Sequence, residues 1–224
     1  MTIGIVGSNG YIATYLINAL SPYYSIKKYD CAGSITANLD LLDAASFNYE
    51  TLRGVDFVIF TAAISSPDRC ASEYDLSWSI NVEGTNYFIR EALARNCKVL
   101  FFSSDAVFGD VSGVINDEYS ETRTQTPYGK MKKAVEDENK DNPNFKCIRL
   151  SYVASAKDKF ISYCIQCIEK NEVATIFHPL YRNCVVVSDV VQVVEWLIRY
   201  WDEYDPFVLN VTGIELVSRV RIAD

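Results

Sequence analysis

The sequence predicts an α/β protein built on a doubly wound, parallel sheet, and three observations carry that prediction. Strand-like apolar runs alternate with helix-periodic stretches as far as Cys147-Ile148-Arg149-Leu150. The first apolar run passes directly into a glycine-bearing turn and then an apolar-periodic helix. At 224 residues, the chain can bury one sizeable core, or one domain with a small lobe.

Ile3-Gly4-Ile5-Val6 reads as a buried strand, and Tyr15, Leu16, Ile17, Ala19 and Leu20 give the helix after it its apolar face. Between them, Gly7 lets the chain turn tightly and Gly10 leaves room for a pyrophosphate. Ala13 is small enough for close helix–strand packing. Free amides at the helix start then face negative charge. The spacing is Gly-x-x-Gly-x-x-Ala rather than the usual dinucleotide fingerprint, so an ordinary tight turn is the alternative. Ser25–Tyr29 reads as a second strand ending on Asp30. An acid there can bind both ribose hydroxyls and would repel a 2′-phosphate, which favours NAD over NADP. Its alternative is a solvated turn acid. A third buried strand from Gly54 runs into Thr61, Ala62 and Ala63, small enough to let a ligand lie against backbone.

Phe101-Phe102-Ser103-Ser104 is a strand end, and residues 110–126 lack periodicity and read as a loop over the site. Helices are expected at about 72–95 and 128–139. On the second, Tyr128 and Lys132 stand one turn apart on a shared face. A hydroxyl (Ser104), a phenol and an ammonium can move a proton while a nicotinamide moves a hydride, although any Lys-rich helix can produce this spacing. Free tyrosine titrates near pH 10. A positive charge about 5 Å away would stabilise its phenolate by roughly 3 kcal/mol, so Lys132 is expected to bring Tyr128 near working pH. For Ser104 the alternative is a hydroxyl that caps local backbone.

Beyond residue 150, helices at 160–170 and 190–201 are expected to alternate with short strands at 174–177 and 184–187. This divides the chain into a dinucleotide-binding domain, 1–150, and an interleaved substrate-binding region, 151–224. Phe207–Val211 reads as a further strand and Glu215–Ser218 as the start of another helix. Only six residues follow Ser218, so the small C-terminal substrate lobe is expected to be incomplete, either truncated or naturally short.

A formal net charge of −8 and a pI near 4.8 argue against a nucleic-acid groove. The acidic clusters Asp117-Glu118 and Glu136-Asp137-Glu138 read as solvated faces. The chain enters a strand at once, so no secretory signal is expected, and no apolar run approaches membrane-spanning length. Seven cysteines cannot all pair within the chain and suit a reducing cytoplasm. Cys164 and Cys167 fall on an apolar helix stripe, which favours core packing over redox or metal chemistry. His178, the only histidine, reads as a loop residue. No histidine-clustered metal site or His-dependent triad is therefore expected.

In order along the chain come Gly7-Ser8-Asn9-Gly10-Tyr11-Ile12-Ala13, Asp30, Leu39-Asp40-Leu41, Ala62-Ala63 and Ile80-Asn81-Val82-Glu83-Gly84-Thr85. Then follow Ser103-Ser104-Asp105-Ala106-Val107-Phe108-Gly109, Pro127-Tyr128 through Lys132, and Arg182 with Val187-Ser188-Asp189. This ordered set resembles the extended short-chain dehydrogenase/reductase family, the NAD(P)-dependent sugar-nucleotide epimerases, dehydratases and reductases, over nearly the whole chain. The resemblance implies a Rossmann-type fold and a catalytic trio of Ser104, Tyr128 and Lys132. It implies a cofactor site of Gly7, Asn9, Gly10, Tyr11 and Ile12 at the pyrophosphate and Asp30 at the ribose. Asp40 and Leu41 would flank the adenine, Thr61, Ala62 and Ala63 would line the strand end, and Asn81 would support the cofactor-side backbone. Arg182 would face the diphosphate of a nucleotide-sugar substrate.

Where the family's dehydratases carry an acid pair after the catalytic hydroxyl, this chain has Asp105-Ala106, which disfavours elimination. Ser-Asp-x-Val-Phe looks closer to the dTDP-4-dehydrorhamnose reductase branch, implying a 4-keto sugar reductase. A nucleotide-sugar epimerase is the alternative, and a non-catalytic dinucleotide sensor is the alternative from another class. Family dimers imply a homodimer pairing the 72–95 and 128–139 helices, with Met131 and Val135 as contacts.

Overall fold

The computed structural model describes residues 1–33, 35–109, 115–155, 158–178 and 180–223. The chain runs β1 (Thr2–Val6), α1 (Tyr11–Leu20), β2 (Ser25–Asp30), β3 (Ala37–Asn38) and β4 (Phe57–Phe60). It continues through α2 (Pro67–Ser72), α3 (Tyr74–Trp78), a π-helical turn (Ser79–Gly84), α4 (Thr85–Ala94) and β5 (Lys98–Ser104). After a 3-10 turn at Asp105–Phe108 come α5 (Pro127–Asn139), β6 (Phe145–Leu150), β7 (Tyr152–Ala154) and α6 (Lys159–Glu169). The last elements are β8 (Tyr181–Val186), α7 (Val187–Arg199), β9 (Val208–Val211), β10 (Leu216–Ser218) and α8 (Arg219–Ala223).

The main sheet has the order β3-β2-β1-β4-β5-β6-β9, parallel throughout. Both of its faces are covered, which is why β1, β4 and the middle of β5 read as nearly continuous apolar runs. Val6, Val58, Phe60, Val99 and Phe101 pack with Phe88 and Ile89 of α4 and Val135 of α5. Ile3, Ile5, Ile59, Leu100 and Ile148 pack with Leu16 and Leu20 of α1 and Val190, Val194 and Leu197 of α7. Asn96 and Asn171, both at positive φ, end α4 and α6 as left-handed caps. The winding direction reverses between β1 and β4. A crevice therefore opens beyond their carboxyl ends, where doubly wound sheets place ligands.

The doubly wound prediction holds, with corrections in detail. The stretch expected as one helix, 72–95, starts on the last residue of α2 and is broken into α3, the π turn and α4. Ala174–Phe177 forms no strand. Leu216–Ser218 is a strand pairing antiparallel with β8, and the short α8 starts only after it. β9 returns to the main sheet beside β6, so a division at residue 150 does not divide the sheet. β8 forms a second small sheet with β7 and β10.

Met131 and Val135 are fully buried within the single chain and cannot be the expected dimer contacts. Glu136 is also buried, against the expectation of a solvated acidic face, whereas Asp137 and Glu138 are exposed. Glu118 accepts the Asn210 amide at 2.7 Å, so it too is more than a solvated surface charge. Cys164 and Cys167 are buried free thiols on α6, and His178 lies outside helix and strand near Tyr181. Of the loop expected at 110–126, residues 110–114 lie outside the described residues. Among the described residues, no helix is long and apolar enough to cross a membrane, and no His/Cys/Asp/Glu group could hold a metal ion.

Candidate active site

A cleft of about 500 Å³ opens at the reversal point of the sheet. Gly7 follows β1 at φ +79°, a left-handed conformation in which a side chain is strained. A Cβ there would also lie 2.7 Å from the Ala62 backbone, so the tight turn and the small residues after β4 require one another. Helix α1 then begins at Tyr11 with no side chain capping it. The first amides of the helix, Tyr11 to Ala13, therefore have no intrahelical acceptor and line the cleft, a cradle suited to a diphosphate.

Asp30 at the end of β2 lines the same cleft. Its two carboxylate oxygens accept the Asn9 amide at 2.9 Å and the Cys31 amide at 2.8 Å, which fixes the carboxylate beside the turn. The Asn9 side chain donates to the Ala32 carbonyl and ties the turn to the β2 end. Thr61 donates from Oγ1 to the Val6 carbonyl at 2.8 Å, joining the ends of β1 and β4. A smaller apolar pocket of about 190 Å³ adjoins Asp30, lined by Tyr29, Leu39, Asp40, Leu41, Ile64 and Ile80 among others. It has the size and character for an adenine ring. Asn81 lies buried beneath the wall of this region. Its Oδ1 accepts the Ile64 amide at 2.8 Å and its Nδ2 donates to the Ile64 carbonyl at 3.0 Å. The side chain thus substitutes for a missing strand neighbour just past β4, and the π turn supplies the wider helical geometry that carries it.

Ser104, Tyr128 and Lys132 line the cleft together with the glycine turn. Thr126 caps α5 by accepting the Gly129 amide, and Pro127 occupies the first turn. Gly129 then decides where Tyr128 sits. A Cβ there would lie 2.1 Å from Thr124 Oγ1 and 2.5 Å from the Ala106 carbonyl. Only glycine lets α5 press against the turn that follows Ser104. Tyr128, Lys132 and Glu136 lie on one face of α5 at four-residue intervals, and that face holds the end of β5. Lys132 donates to the Phe102 carbonyl at 2.7 Å, and Ser103 donates from its hydroxyl to Glu136. Glu136 is held in turn by Arg149 of β6 in a buried pair, Nη2 to Oε2 at 2.7 Å.

The electrostatics correct one expectation. Burial, reinforced by Cys70 and Asp105, pushes the Tyr128 phenol well above its ordinary value. Burial also pushes the Lys132 ammonium down to about 8, with Glu136 opposing the fall. The Lys132 nitrogen stands 5.7 Å from the Tyr128 ring centroid and 4.5 Å from that of Phe101. Burial thus favours the protonated phenol in the protein by itself.

Ser104 accepts the Ala106 amide at 3.2 Å and donates to Asp105 at 3.1 Å. It therefore does cap the following turn while its side chain lines the cleft. Arg182 is exposed on β8 and does not line the cleft, although its charge lowers a titration of Asp105 that burial raises. Sequence reasoning missed Glu136, Arg149 and Ser103 as parts of this assembly. The four-residue interval from Lys132 to Glu136 was legible, but the partner on β6 was not.

The sequence matches the model of the NAD dependent epimerase/dehydratase family over residues 3–211. Comparison with curated proteins finds no match. Among solved structures, a Clostridium acetobutylicum dTDP-4-dehydrorhamnose reductase shares 22% identity at a TM-score of 0.85, covering 100% of this chain and 78% of that one. A Bacillus anthracis dTDP-4-dehydrorhamnose reductase in complex with NADP shares 21% at 0.87, covering 99% and 78%. A Thermotoga maritima UDP-glucose 4-epimerase with UDP-glucose shares 17% at 0.84, covering 100% and 80%. These likenesses show a common fold. Together with a family match over most of its length, they establish that the chain belongs to the NAD dependent epimerase/dehydratase family, enzymes of the extended short-chain dehydrogenase/reductase type.

Proposed function

We propose that this protein is an NAD-dependent reductase of a nucleotide-activated 4-keto sugar. The observation that carries the reading is a single cleft in which the glycine turn and Asp30 meet Ser104, Tyr128 and Lys132. The residues fit a dinucleotide: uncapped amides at Tyr11 to Ala13 for the diphosphate, the Asp30 carboxylate for a ribose, and the pocket at Leu39 to Leu41 for the adenine. The negative charge of Asp30 disfavours a 2′-phosphate, which supports NAD over NADP. A bound nicotinamide would supply the hydride.

Tyr128 is the proton donor in this scheme. A phenol held protonated by burial suits a reaction in which a ketone gains a hydride and then needs a proton on its oxygen. Lys132 places a positive charge beside that phenol and fixes the β5 end through Phe102. Ser104 turns its hydroxyl from Asp105 to the substrate oxygen and holds it near the phenol. Ala106 stands where an eliminating enzyme of the family would need a second acid, which supports reduction over dehydration. The similar structures include two dTDP-4-dehydrorhamnose reductases and a UDP-glucose 4-epimerase, which supports a nucleotide-sugar substrate. Seven free thiols support a reducing, cytoplasmic compartment.

The test is stopped-flow mixing of the protein–NADH complex with dTDP- and UDP-linked 4-keto hexoses. Loss of NADH absorbance in wild type, with a drop of about 10²–10⁴-fold in Tyr128→Phe, is the expected result. Tight NADH binding without oxidation by any of these sugars would replace the reading with a dinucleotide sensor. Interconversion of sugar epimers with no net NADH change would replace it with an epimerase.

A further inference from the structure

Lys132 and Glu136 stand four residues apart on one face of α5, the spacing at which a helix ordinarily pairs Lys with Glu. Lys133 and Asp137, one residue further along with the same spacing and order, do form an ion pair. Among the described residues, Lys132 and Glu136 form none. The Glu136 carboxylate pairs instead with Arg149 of β6, and the Lys132 nitrogen donates to the Phe102 carbonyl at 2.7 Å. Both oxygens of Glu136 are occupied. Arg149 donates from Nη2 to Oε2 at 2.7 Å and from Nε to Oε1 and Oε2 at 3.1 and 3.2 Å. Ser103 adds its hydroxyl to Oε1. The Phe108 ring braces the guanidinium from the other side of the pair, 4.9 Å from its central carbon.

Burial makes this choice of partner consequential. Lys132, Glu136 and Arg149 are all buried, two cations against one carboxylate. The remaining titratable groups around Lys132 bring it no counter-charge. Burial pushes the thiols of Cys70 on α2 and Cys147 on β6 above their ordinary values, and the Tyr128 phenol likewise, so all three are neutral at pH 7. Asp105, on the turn after β5, acts on Tyr128 and is itself answered by Arg182. Glu136 is the group whose charge most strongly favours the Lys132 ammonium. With Lys132 protonated, the cluster therefore carries one surplus positive charge beneath the phenol. The phenolate left on Tyr128, once its proton has passed to the substrate oxygen, would balance that charge. A carboxylate seated on Lys132 would cancel it beforehand.

We propose that Arg149 is a positioning residue for proton transfer by Tyr128. It holds the Glu136 carboxylate away from Lys132, so that the ammonium stays without a counter-ion and its charge acts on the phenol. The inference rests on the reading of Tyr128 as proton donor and adds to it the residue on β6 that keeps the ammonium available.

The test is an NMR titration of protein carrying carbon-13 at lysine Cε, with the Lys132 signal assigned from the spectrum of Lys132→Met. In wild type that signal is expected to titrate at about pH 8. Arg149→Met frees Glu136 to turn to Lys132 and is expected to raise the midpoint by about one pH unit or more. Arg149→Gln, which keeps a neutral donor for Glu136, gives the same comparison should Arg149→Met fail to fold. With Glu136→Gln also present, the rise is expected to be less than about half as large. Arg149→Lys, which keeps a cation for Glu136, is expected to leave the midpoint within about 0.3 unit of wild type. An unmoved midpoint in the neutral Arg149 variants overturns the proposal. So does an equal rise with either residue at 136, because Arg149 would then act through its own charge alone. With NADH and a 4-keto sugar nucleotide, Arg149→Met should lose about tenfold or more in kcat at a KM within about threefold of wild type, and adding Glu136→Gln should restore most of that loss. A loss that Glu136→Gln fails to restore reduces Arg149 to a structural role and overturns the proposal. If wild type reduces no such sugar, the reductase reading falls, while the titration needs no substrate and still decides what Arg149 does to Lys132.

Discussion

Replacing Lys132 by methionine removes a charge that folding carries out of water beneath the phenol of Tyr128. Lys132 is 3% exposed, and its pKa falls from 10.5 to about 8, first through burial. Because the folded value lies below the unfolded one, the unfolded chain binds the extra proton between about pH 8 and 10.5. Wild-type stability therefore contains a component that rises with pH across that window. At 1.36 kcal/mol per pK unit, the component improves by about 2 kcal/mol between roughly pH 7 and 9.5. Methionine has a similar length and no proton to gain, so the variant lacks this rise. Groups common to both proteins cancel in the difference. The assay is urea unfolding followed by circular dichroism at several pH values from about 7 to 9.5, reported as wild type minus variant. A difference that climbs by about 2 kcal/mol is expected. A difference flat to within about 0.5 kcal/mol would refute the claim that a desolvated ammonium sits in this cleft.

Gly129→Ala should lower stability by about 1–3 kcal/mol and depress kcat, because the added carbon meets the Ala106 carbonyl and Thr124 and tilts α5 away from Ser104; chemical denaturation and turnover measured on one preparation check both effects. Glu136→Ala should cost about 3–5 kcal/mol by leaving the Arg149 charge buried without its partner, read as a shift of the urea midpoint. Asp30→Asn should weaken NADH binding by about 10–100-fold and narrow the preference over NADPH, as fluorescence titration with both cofactors would show.

The parts of this protein legible from sequence are those that local chemistry determines. The glycine turn after β1, the acid ending β2 and the Tyr128–Lys132 spacing each need only their neighbours in the chain to be recognised. The apolar runs of β1, β4 and β5 were legible because a parallel sheet covered on both faces favours nearly continuous hydrophobicity. The 72–95 stretch misled because helical periodicity does not register a change of winding, and the π turn that positions Asn81 lies inside it. Glu136 misled in the same way, since an acidic cluster reads as solvated until a partner 13 residues away on β6 is seen to neutralise one member of it. Tertiary structure alone decided how the Tyr128–Lys132 face is desolvated. Spacing brings an ammonium to a phenol, but how much water each loses depends on packing from β5, the 105–108 turn and the π turn. That burial raises the Tyr128 phenol, where reasoning from charge separation alone expected Lys132 to bring it down towards working pH. Tertiary structure also decided that Glu136 answers Arg149 rather than Lys132, because folding lays β6 beneath the same face of α5.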